Sequence, residues 1–238
     1  MGEKMQAVIL AGGEGTRLRP LTTSLPKSMI PIAGKPFLDY EIMLLKRAGV
    51  IDFVICIGYK GEIIRSHFGN GESFGVKIRY SDDGDMLLGT AGSLKKAQAL
   101  LADGFFITYG DAYPIIDYHA AWNRFLSTGK IAMMVVLKNS NKYGRSNTVV
   151  QNGQVTFYSK KETVPGMEYI EFGVTFMNKQ VLDMLTGDYP IDLEILYREI
   201  ICNNQMAAVE VKQRIYDIGS PEGLRDFGEL VGSGQIEP

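Results

Sequence analysis

The sequence predicts an α/β fold in which helices cover both faces of a mixed, mostly parallel β-sheet. Apolar runs of strand length alternate along the chain with segments whose apolar residues recur at helical spacing. The 238 residues, 45% of them hydrophobic, suffice for one large domain with a sizeable core. An Asn-Gly dipeptide between two further apolar runs predicts a β-hairpin. Together these observations favour a Rossmann-like three-layer sandwich with a small β-rich lobe.

Strands alternate with helices in the first part of the chain. The predicted strands are Gln6–Leu10, Phe53–Ile57, Val76–Tyr80, Phe105–Thr108 and Ile131–Leu137. One helix is predicted after Pro36, a second from Thr90 to Leu101, and a third around Trp122 and Phe125. Such alternation forms right-handed βαβ units, and ligands bind beyond the carboxyl ends of their parallel strands.

The second part of the chain is richer in strands. Its predicted elements are strands at 147–150, 155–158 and 170–177 and helices at 191–202 and 221–231. The dipeptide Asn152-Gly153 forms the hairpin turn between the first two of these strands. Ser220 is predicted to cap the last helix, with Pro221 at its first position.

One domain is expected over 1–238, since no long linker interrupts the chain, and a flexible tail is expected at 232–238. The net charge of −2 gives no field that favours nucleic acid or a membrane surface as a partner. No apolar run has the length of a membrane span, and the polar start is unlike a signal peptide. Cys56 and Cys202 form no metal motif, so a cytoplasmic protein is expected.

The most informative stretch is 10–27, LAGGEGTRLRPLTTSLPK, which follows the first predicted strand. Its glycines are Gly12, Gly13 and Gly15. Glycine lets a phosphate approach the main chain closely, and two cations, Arg17 and Lys27, follow. A strand that leads into a glycine-rich loop with attached cations predicts a triphosphate site.

Other interpretations of this loop are less favoured. A dinucleotide-binding fingerprint would need a third glycine where the chain has Leu18, which disfavours an NAD site. No Walker A motif occurs either. A plain structural turn remains the alternative, although three glycines and two nearby cations exceed what a turn requires.

Residues 10–22, with Pro26-Lys27 and Pro31-Ile32, resemble the signature of the sugar-1-phosphate nucleotidyltransferases, also called nucleotide-sugar pyrophosphorylases. The likeness extends more weakly to about residue 225. It implies a Mg²⁺-dependent enzyme of nucleotide-sugar biosynthesis, whose substrates are a nucleoside triphosphate and a sugar 1-phosphate. It also implies a nucleotide-binding half at about 1–115 and a sugar-binding half at about 116–231. Whether the protein forms a homo-oligomer stays open.

The resemblance assigns catalytic roles to the two cations of the loop. Arg17 would hold the leaving pyrophosphate, because a guanidinium binds phosphate in a bidentate manner. Lys27 would contact the α-phosphate and the incoming sugar phosphate. Further nucleotide contacts are implied for Leu10, Ala11, Gly12, Gly13, Gly15 and Thr16. Without the motif, Arg17 would be interpreted as a surface ion-pair residue and Lys27 as a solvated lysine.

Two aspartates are expected to hold Mg²⁺. Asp111 follows a predicted strand and matches the family's Gly-Asp, whose aspartate binds the metal. Asp217 lies in a string similar to the family's aspartate–isoleucine–glycine–threonine–proline–glutamate, with Ser220 in place of threonine. Asp111 could instead cap the next helix, although Asp117 is better placed for that. Because an unpaired carboxylate in an apolar strand is costly, metal binding is favoured for Asp217, and the two aspartates should converge.

The base-contacting segment is predicted at 89–92, Gly-Thr-Ala-Gly, which resembles that of mannose and heptose guanylyltransferases. Gly89 and Thr90 are therefore expected to contact the nucleotide. The stretch 106–111 is instead similar to glucose-1-phosphate cytidylyltransferases. A carboxylate of Asp82 or Asp83, with Asp83 preferred, could accept hydrogen bonds from guanine N1 and N2 or from cytosine N4. The alternative is that these aspartates and Asp85 are solvated loop residues.

The predicted sugar pocket departs from the family pattern. Its expected residues are Tyr113, Tyr143, Gly144, Lys161, Glu171 and Gly173. Lys161 aligns with a family lysine, which makes Lys160 the replacement for a glutamate that holds sugar hydroxyls in relatives. A cation cannot accept from hydroxyls, so Glu171 is expected to supply the acceptor. This departure favours a modified sugar, a heptose or a more acidic phosphate ester.

The sequence as a whole predicts transfer of a nucleoside monophosphate from GTP or CTP to a sugar 1-phosphate. A heptose or hexose 1-phosphate guanylyltransferase is the favoured example. The first alternative is a cytidylyltransferase for a non-sugar phosphate or a phosphonate. The second is a catalytically silent, nucleotide-binding regulatory subunit, which would be expected to lack one of the charged residues that this chain retains.

Overall fold

Residues 5–84, 86, 88–187 and 189–236 are described by the computed structural model, and they form thirteen strands and six α-helices. The strands are β1 (Gln6–Leu10), β2 (Pro31–Ile32), β3 (Lys35–Pro36), β4 (Asp52–Ile57), β5 (Lys77–Asp82), β6 (Gly104–Tyr109), β7 (Ala112–Tyr113), β8 (Ala132–Lys138), β9 (Thr148–Gln151), β10 (Gln154–Tyr158), β11 (Tyr169–Asn178), β12 (Met206–Val211) and β13 (Tyr216–Asp217). The α-helices are α1 (Phe37–Arg47), α2 (Gly61–Phe68), α3 (Gly89–Lys96), α4 (Tyr118–Thr128), α5 (Leu193–Cys202) and α6 (Pro221–Gly232).

Nine strands form one mixed sheet in the order β5-β4-β1-β6-β11-β8-β12-β10-β9. The first four are parallel. β11 then runs antiparallel to both β6 and β8, β12 runs parallel to β8, and β10 runs antiparallel to both β12 and β9. The α/β class and the mixed sheet are confirmed, but parallel pairs predominate only among the first four strands of this order. Strand patterns do not reveal direction when the connection lacks a helix.

Helices cover both faces of the sheet. On β1, Ala7 and Ile9 pack in the core beneath α1, α2 and α4, whereas Val8 packs in the opposite core beneath α3 and α5. This alternation follows from the two-residue period of a strand. A third, smaller core joins α1 to α6, where the Phe37 and Phe227 rings lie with centroids 4.9 Å apart. No helix in the described part of the chain is long and apolar enough to cross a membrane.

The predicted hairpin forms at its Asn-Gly turn, where Asn152 has φ 51° and Gly153 has φ 72°. Its strands do not stand apart as a separate lobe. β10 pairs with β12 and β9 pairs with β11, so the hairpin extends the main sheet. The apolar run that forms β12 was not predicted, and neither were α2 and the short strand pairs β2–β3 and β7–β13.

The segment after α6 covers most of the predicted flexible tail. Ile236 is buried in the third core, beside side chains of α1 and α6. Burial of this apolar side chain holds Ile236 against the third core, and the flexible tail stays a prediction for the rest of 232–238. Residues 237 and 238 lie outside the described residues.

The strand order changes direction at β1. From β1 the chain builds outward through β4 and β5, then returns to place β6 on the other side of β1. Such a switch opens a crevice at the carboxyl ends of the strands, where open α/β sheets bind ligands. Gly110, after β6, sits so close to the loop after β1 that an added Cβ would lie 3.0 Å from Ala11 Cβ. The two loops that carry the predicted site residues therefore meet.

Candidate active site

A cavity of about 930 Å³ lies at the carboxyl ends of β1, β4 and β6. The predicted residues that line it are Leu10, Ala11, Gly12, Gly13, Lys27, Asp83, Gly89, Thr90 and Asp111. They come from segments that are far apart in the chain and are brought together by the parallel strands. This grouping is the crevice expected at a switch in strand order.

The glycine loop after β1 is held against its neighbours by close backbone contacts. Gly12 O accepts a hydrogen bond from Tyr59 N at 3.1 Å, and an added Cβ on Gly58 would lie 2.9 Å from Gly12 O. Gly15 has φ 61°, and an added Cβ there would lie 3.0 Å from Lys27 Cβ. The N–H groups of Gly12, Gly13 and Glu14 donate no hydrogen bond within the described ranges. Such free donors beside a cavity suit an anion.

Four charged side chains, Arg17, Lys27, Asp111 and Asp217, lie close together, and two of them, Lys27 and Asp111, line the cavity. Lys27 Nζ donates to Asp111 Oδ2 in an ion pair of which about a fifth of each side chain is exposed. An ideal Cβ on Gly219 would lie 3.0 Å from Asp217 Oδ1, 3.1 Å from Arg17 Nη2 and 3.2 Å from Asp111 Oδ2. The two aspartates and the arginine thus converge on one point that has room for glycine alone.

Backbone pairing brings the two aspartates together. β7 and β13 form an antiparallel pair in which Asp217 lies opposite Ala112, and Ile218 N donates to Asp111 O at 2.8 Å. Asp217 is exposed, contrary to the premise that burial made its carboxylate costly. Its Oδ1 accepts from Gly219 N at 2.9 Å. The convergence expected from the sequence is therefore present, although its physical cause is the strand pair.

The donor set at this point fits Mg²⁺. Mg²⁺ prefers oxygen ligands and is usually bound by one or two carboxylates together with waters and substrate phosphates. Asp111 and Asp217 supply two such carboxylates, 3.2 Å and 3.0 Å from a shared point. No cluster of three or more His, Cys, Asp or Glu side chains with metal-binding geometry occurs within the described ranges, so these residues do not form an all-protein cage.

Asp83 also lines the cavity, beside the glycine loop. Its Oδ2 accepts from the Ser93 hydroxyl on α3 and would lie 3.3 Å from a Cβ on Gly12. Its Oδ1 is buried without a hydrogen-bond partner in the described part of the chain. Burial raises the pKa of Asp83, and the Ser93 hydroxyl and Lys96 charge oppose this. An unsatisfied buried acceptor beside a cavity is costly unless a ligand donates to it.

The neighbouring Asp82 is differently placed. It is half exposed and accepts from Arg65 Nη2 at 3.0 Å. Of the two aspartates that the sequence offered for base recognition, Asp83 is the one whose free oxygen lacks a partner. Asp85 lies outside the described residues.

Glu171, expected to accept from sugar hydroxyls, is already engaged by three tyrosines. Oε2 accepts from Tyr158 at 2.6 Å, while Oε1 accepts from Tyr109 at 3.2 Å and from Tyr197 at 3.3 Å. Burial raises the pKa of Glu171, and the Tyr158 hydroxyl and the Lys160 charge oppose this. Glu171 does not line the cavity, although Tyr109 does. The carboxylate therefore fixes tyrosines behind the cavity wall.

The other predicted sugar residues are not among those that line the cavity. Tyr113 belongs to the third core, where its ring packs against Phe227 with centroids 5.0 Å apart. Burial raises the pKa of Tyr113 to about 12. Tyr143 is exposed beneath the cations of Lys142 and Arg214. None of these residues lines the cavity: Tyr143, Gly144, Lys161 and Gly173. All the residues predicted to contact the nucleotide line the cavity except Gly15, Thr16 and Arg17, whereas none of the residues predicted to contact the sugar does.

Asp192 is among the charged residues of the cavity wall that sequence reasoning missed. It was assigned to a helix, and it does cap α5, since its Oδ1 accepts from Glu194 N at 2.8 Å. The same oxygen accepts from Lys160 Nζ at 2.8 Å. The aspartate before a helical pattern was a visible signal, but its structural role concealed its position on the cavity.

Comparison with known proteins agrees with this geometry. The family model described as Nucleotidyl transferase matches residues 6–232. D-glycero-alpha-D-manno-heptose 1-phosphate guanylyltransferase of Aneurinibacillus thermoaerophilus is 31% identical over 224 residues, which cover 93% of this chain and 96% of the relative. UTP--glucose-1-phosphate uridylyltransferase of Synechocystis is 32% identical over 79% of this chain, which spans about half, 53%, of that relative's length.

A solved structure is similar along its whole length. The crystal structure of HddC from Yersinia pseudotuberculosis complexed with GMP-PN superposes with a TM-score of 0.76 at 26% identity. The match covers 95% of this chain and 99% of that one. This chain therefore belongs to the nucleotidyl transferase family, whose members are enzymes that transfer nucleotidyl groups.

Proposed function

We propose that this enzyme transfers GMP from GTP to a heptose or hexose 1-phosphate, forming a nucleotide sugar and releasing pyrophosphate. The observation that carries the proposal is the convergence of Arg17, Lys27, Asp111 and Asp217 beside a cavity lined by the glycine loop. Cations and metal-binding carboxylates are what two reacting phosphate esters need to approach each other.

In the proposed reaction a phosphate oxygen of the sugar 1-phosphate forms a bond to the α-phosphorus of the nucleotide. The bond to the bridging oxygen of the β-phosphate breaks, and pyrophosphate leaves with that electron pair. Lys27 would contact the α-phosphate and the attacking phosphate, and Arg17 would hold the pyrophosphate. The free N–H groups of Gly12, Gly13 and Glu14 would bind further phosphate oxygens. No covalent enzyme intermediate is needed.

Asp111 and Asp217 would hold Mg²⁺ in this site. The bound ion would neutralise charge that develops on the phosphate oxygens. The ion pair to Lys27 keeps Asp111 oriented toward the phosphate end of the cavity. Gly219 would leave room for the ion, because a side chain there would clash with Arg17 and both aspartates.

GTP is favoured over CTP by two observations. Guanine offers two adjacent donors, N1–H and N2–H, and Asp83 presents a free buried acceptor with a second oxygen beside it. The Aneurinibacillus relative, matched along 96% of its length, is named a heptose 1-phosphate guanylyltransferase, and HddC was solved with GMP-PN. Leu10, Ala11, Gly15, Thr16, Gly89 and Thr90 would complete the nucleotide contacts.

A sugar phosphate remains the proposed acceptor. Lys160, the departure that suggested an acidic or non-sugar acceptor, is paired with Asp192 rather than free. We therefore assign the nucleotide to the half at 1–115 and the sugar phosphate to the half at 116–231, with Tyr143, Gly144, Lys161 and Gly173 as its proposed contacts. The cytoplasm, where nucleoside triphosphates are abundant, is the proposed compartment.

A substrate matrix tests this proposal. Four nucleoside triphosphates are each incubated with a panel of heptose, hexose and non-sugar phosphates, with and without Mg²⁺, and pyrophosphate release is measured. We expect release with GTP and a sugar 1-phosphate in the presence of Mg²⁺. Lys27→Met should lower kcat at least about 100-fold, since a charge-assisted phosphate contact would be lost. Lys212→Met changes an exposed lysine and is the matched control. Wild-type turnover by Lys27→Met would refute the assigned site.

A further inference from the structure

Asp192 is fixed on the cavity wall by three different elements. Its Oδ1 accepts from Glu194 N in the first turn of α5 and from Lys160 Nζ beyond β10, both at 2.8 Å. The next residue, Leu193, donates its N–H to Thr90 Oγ1 on α3 at 2.8 Å. Both Asp192 and Thr90 line the cavity. The carboxylate is therefore held at one place rather than swinging in solvent.

The Asp192 carboxylate still has room for a ligand. Lys160 Nζ and Glu194 N both donate to Oδ1, the Thr90 hydroxyl also hydrogen-bonds to the carboxylate, and about half of the side chain is exposed. Burial raises the pKa of Asp192, but hydrogen bonds from Lys160 and Glu194 N outweigh it and lower the pKa, so the group is an anion at neutral pH. The nearby Glu171 differs, because tyrosine hydroxyls occupy both of its oxygens.

The position of Asp192 lies beside the base end of the cavity. Thr90 and Ser93 are three residues apart on α3 and share a helix face, and Ser93 donates to Asp83. Asp83 has a buried, unpartnered Oδ1 in the described part of the chain, which independently marks this end as a ligand site. A group bound at Asp192 would therefore be the part of a substrate next to the base.

We infer that Asp192 is a specificity-determining residue that accepts hydrogen bonds from vicinal hydroxyls of a bound substrate. A carboxylate at a fixed place is a good acceptor for a sugar diol, as in proteins that bind a ribose through an acidic residue. The inference rests on the proposed function. The diol belongs either to the ribose of the nucleotide or to the acceptor sugar.

Asp192→Asn is the informative variant. Asparagine keeps the acceptor that caps α5, because asparagine is as good an N-cap as aspartate. It replaces the other carboxylate oxygen, Oδ2, by an amide donor. Asp183→Asn is the matched control, since that carboxylate is 74% exposed and its nearest cation, Lys95, lies 3.9 Å away. Circular dichroism and the melting temperature verify that both variants fold.

The experiment combines each variant with substrates that lack one hydroxyl. Binding of GTP, 2′-deoxy-GTP and 3′-deoxy-GTP is measured by calorimetry, and KM is measured for the sugar 1-phosphate and its deoxy analogues by pyrophosphate release. Asp192→Asn should weaken one substrate about tenfold or more, as loss of a hydrogen bond to a charged group does. Asp183→Asn should bind as the wild type does.

The pattern of additivity identifies the diol. If the wild type loses affinity for a deoxynucleotide and Asp192→Asn loses no more, Asp192 binds the ribose. If the wild type loses affinity for a deoxy sugar phosphate and Asp192→Asn loses no more, Asp192 binds the acceptor sugar. Wild-type affinity of Asp192→Asn for every substrate, or fully additive losses in both arms, would overturn the inference. Absence of pyrophosphate release by the wild type would instead contradict the proposed function, and the calorimetric arm would still test Asp192.

Discussion

Asp83 is a cavity residue that carries an unsatisfied buried hydrogen-bond acceptor in the described part of the chain. Its Oδ1 is buried and has no partner in the described part of the chain, while Oδ2 accepts from Ser93. A buried acceptor left without a donor costs about 1–3 kcal/mol, and a bound base would remove that cost. The binding of the base is therefore coupled to a penalty that is already present in the fold.

Asp83→Asn is predicted to lower the affinity for GTP by about 10- to 100-fold, the value of a hydrogen bond to a charged group. The amide would also place a donor against the donors of guanine. Calorimetric titration with GTP measures the effect. Asp82→Asn is the control, because Asp82 is half exposed and paired with Arg65. Equal losses in the two variants would show that the charge of the loop, rather than a contact of Asp83, binds the nucleotide.

The position of a residue could be predicted from the sequence where its neighbours in the chain determine it. The contacts of a residue with side chains that are distant in the chain could not. Gly12 and Asp111 follow within two residues of the ends of β1 and β6, and their place at the sheet edge follows from that. Glu171 meets tyrosines from β6, β10 and α5, whose approach no local pattern encodes. The sequence analysis therefore identified the Glu171 carboxylate but not the tyrosines that donate hydrogen bonds to it.

At the scale of elements, the loop before α5 supports the first turn of α3. Ala91 N and Gly92 N donate to Ile191 O at 2.9 and 3.2 Å, and Ile191 N donates to Leu88 O at 2.9 Å. Helix α3 thereby has two of its first N–H groups satisfied by another segment rather than by a side-chain cap. The first turn of α3 and the wall that carries Asp192 are consequently one packed unit.

Gly89→Ala is predicted to disrupt this unit. Gly89 has φ 73°, and an added Cβ would lie 2.5 Å from Ile191 O. The positive φ costs about 1–2 kcal/mol for alanine, and the clash with backbone adds about 1–3 kcal/mol. Urea denaturation measures the loss, and KM for the nucleotide should rise in parallel. Gly84→Ala isolates the first cost, since φ is 65° there and nothing lies within 4 Å. Equal losses in the two variants would contradict the contact with Ile191.

Element types were more predictable than their connections. The alternation of apolar runs with helical patterns located five strands of the sheet to within one or two residues. The reversal of β11 and the pairing of β7 with β13 were not predicted, because strand direction and pairing depend on long-range packing rather than on local period. That second pairing is the one that brings Asp217 to Asp111.

At the scale of the molecule, Glu41 links folding stability to pH. It lies on α1, is fully buried, and neither carboxyl oxygen has a partner in the described part of the chain. Burial raises its pKa well above the ordinary value of 4.5; the nearby Thr108 hydroxyl opposes this, and the charge of Asp111 adds to it. Burial raises the pKa of the nearby Tyr118 phenol, and the charge of Glu41 adds to this. The native state therefore holds a proton that the unfolded chain releases above pH 4.5.

Glu41→Gln is predicted to become more stable relative to the wild type as pH rises. Because the native pKa exceeds the unfolded one, Glu41 costs stability from about pH 4.5 up to its native pKa, at up to about 1.4 kcal/mol per pH unit. Glutamine has the same shape and releases no proton, so this slope disappears. Urea denaturation at pH 5, 6, 7 and 8 measures the difference. Glu162→Gln, half exposed and 3.5 Å from Arg198, should give a curve parallel to that of the wild type. A parallel curve for Glu41→Gln would mean that the native state holds Glu41 ionised, through a donor that offsets its burial.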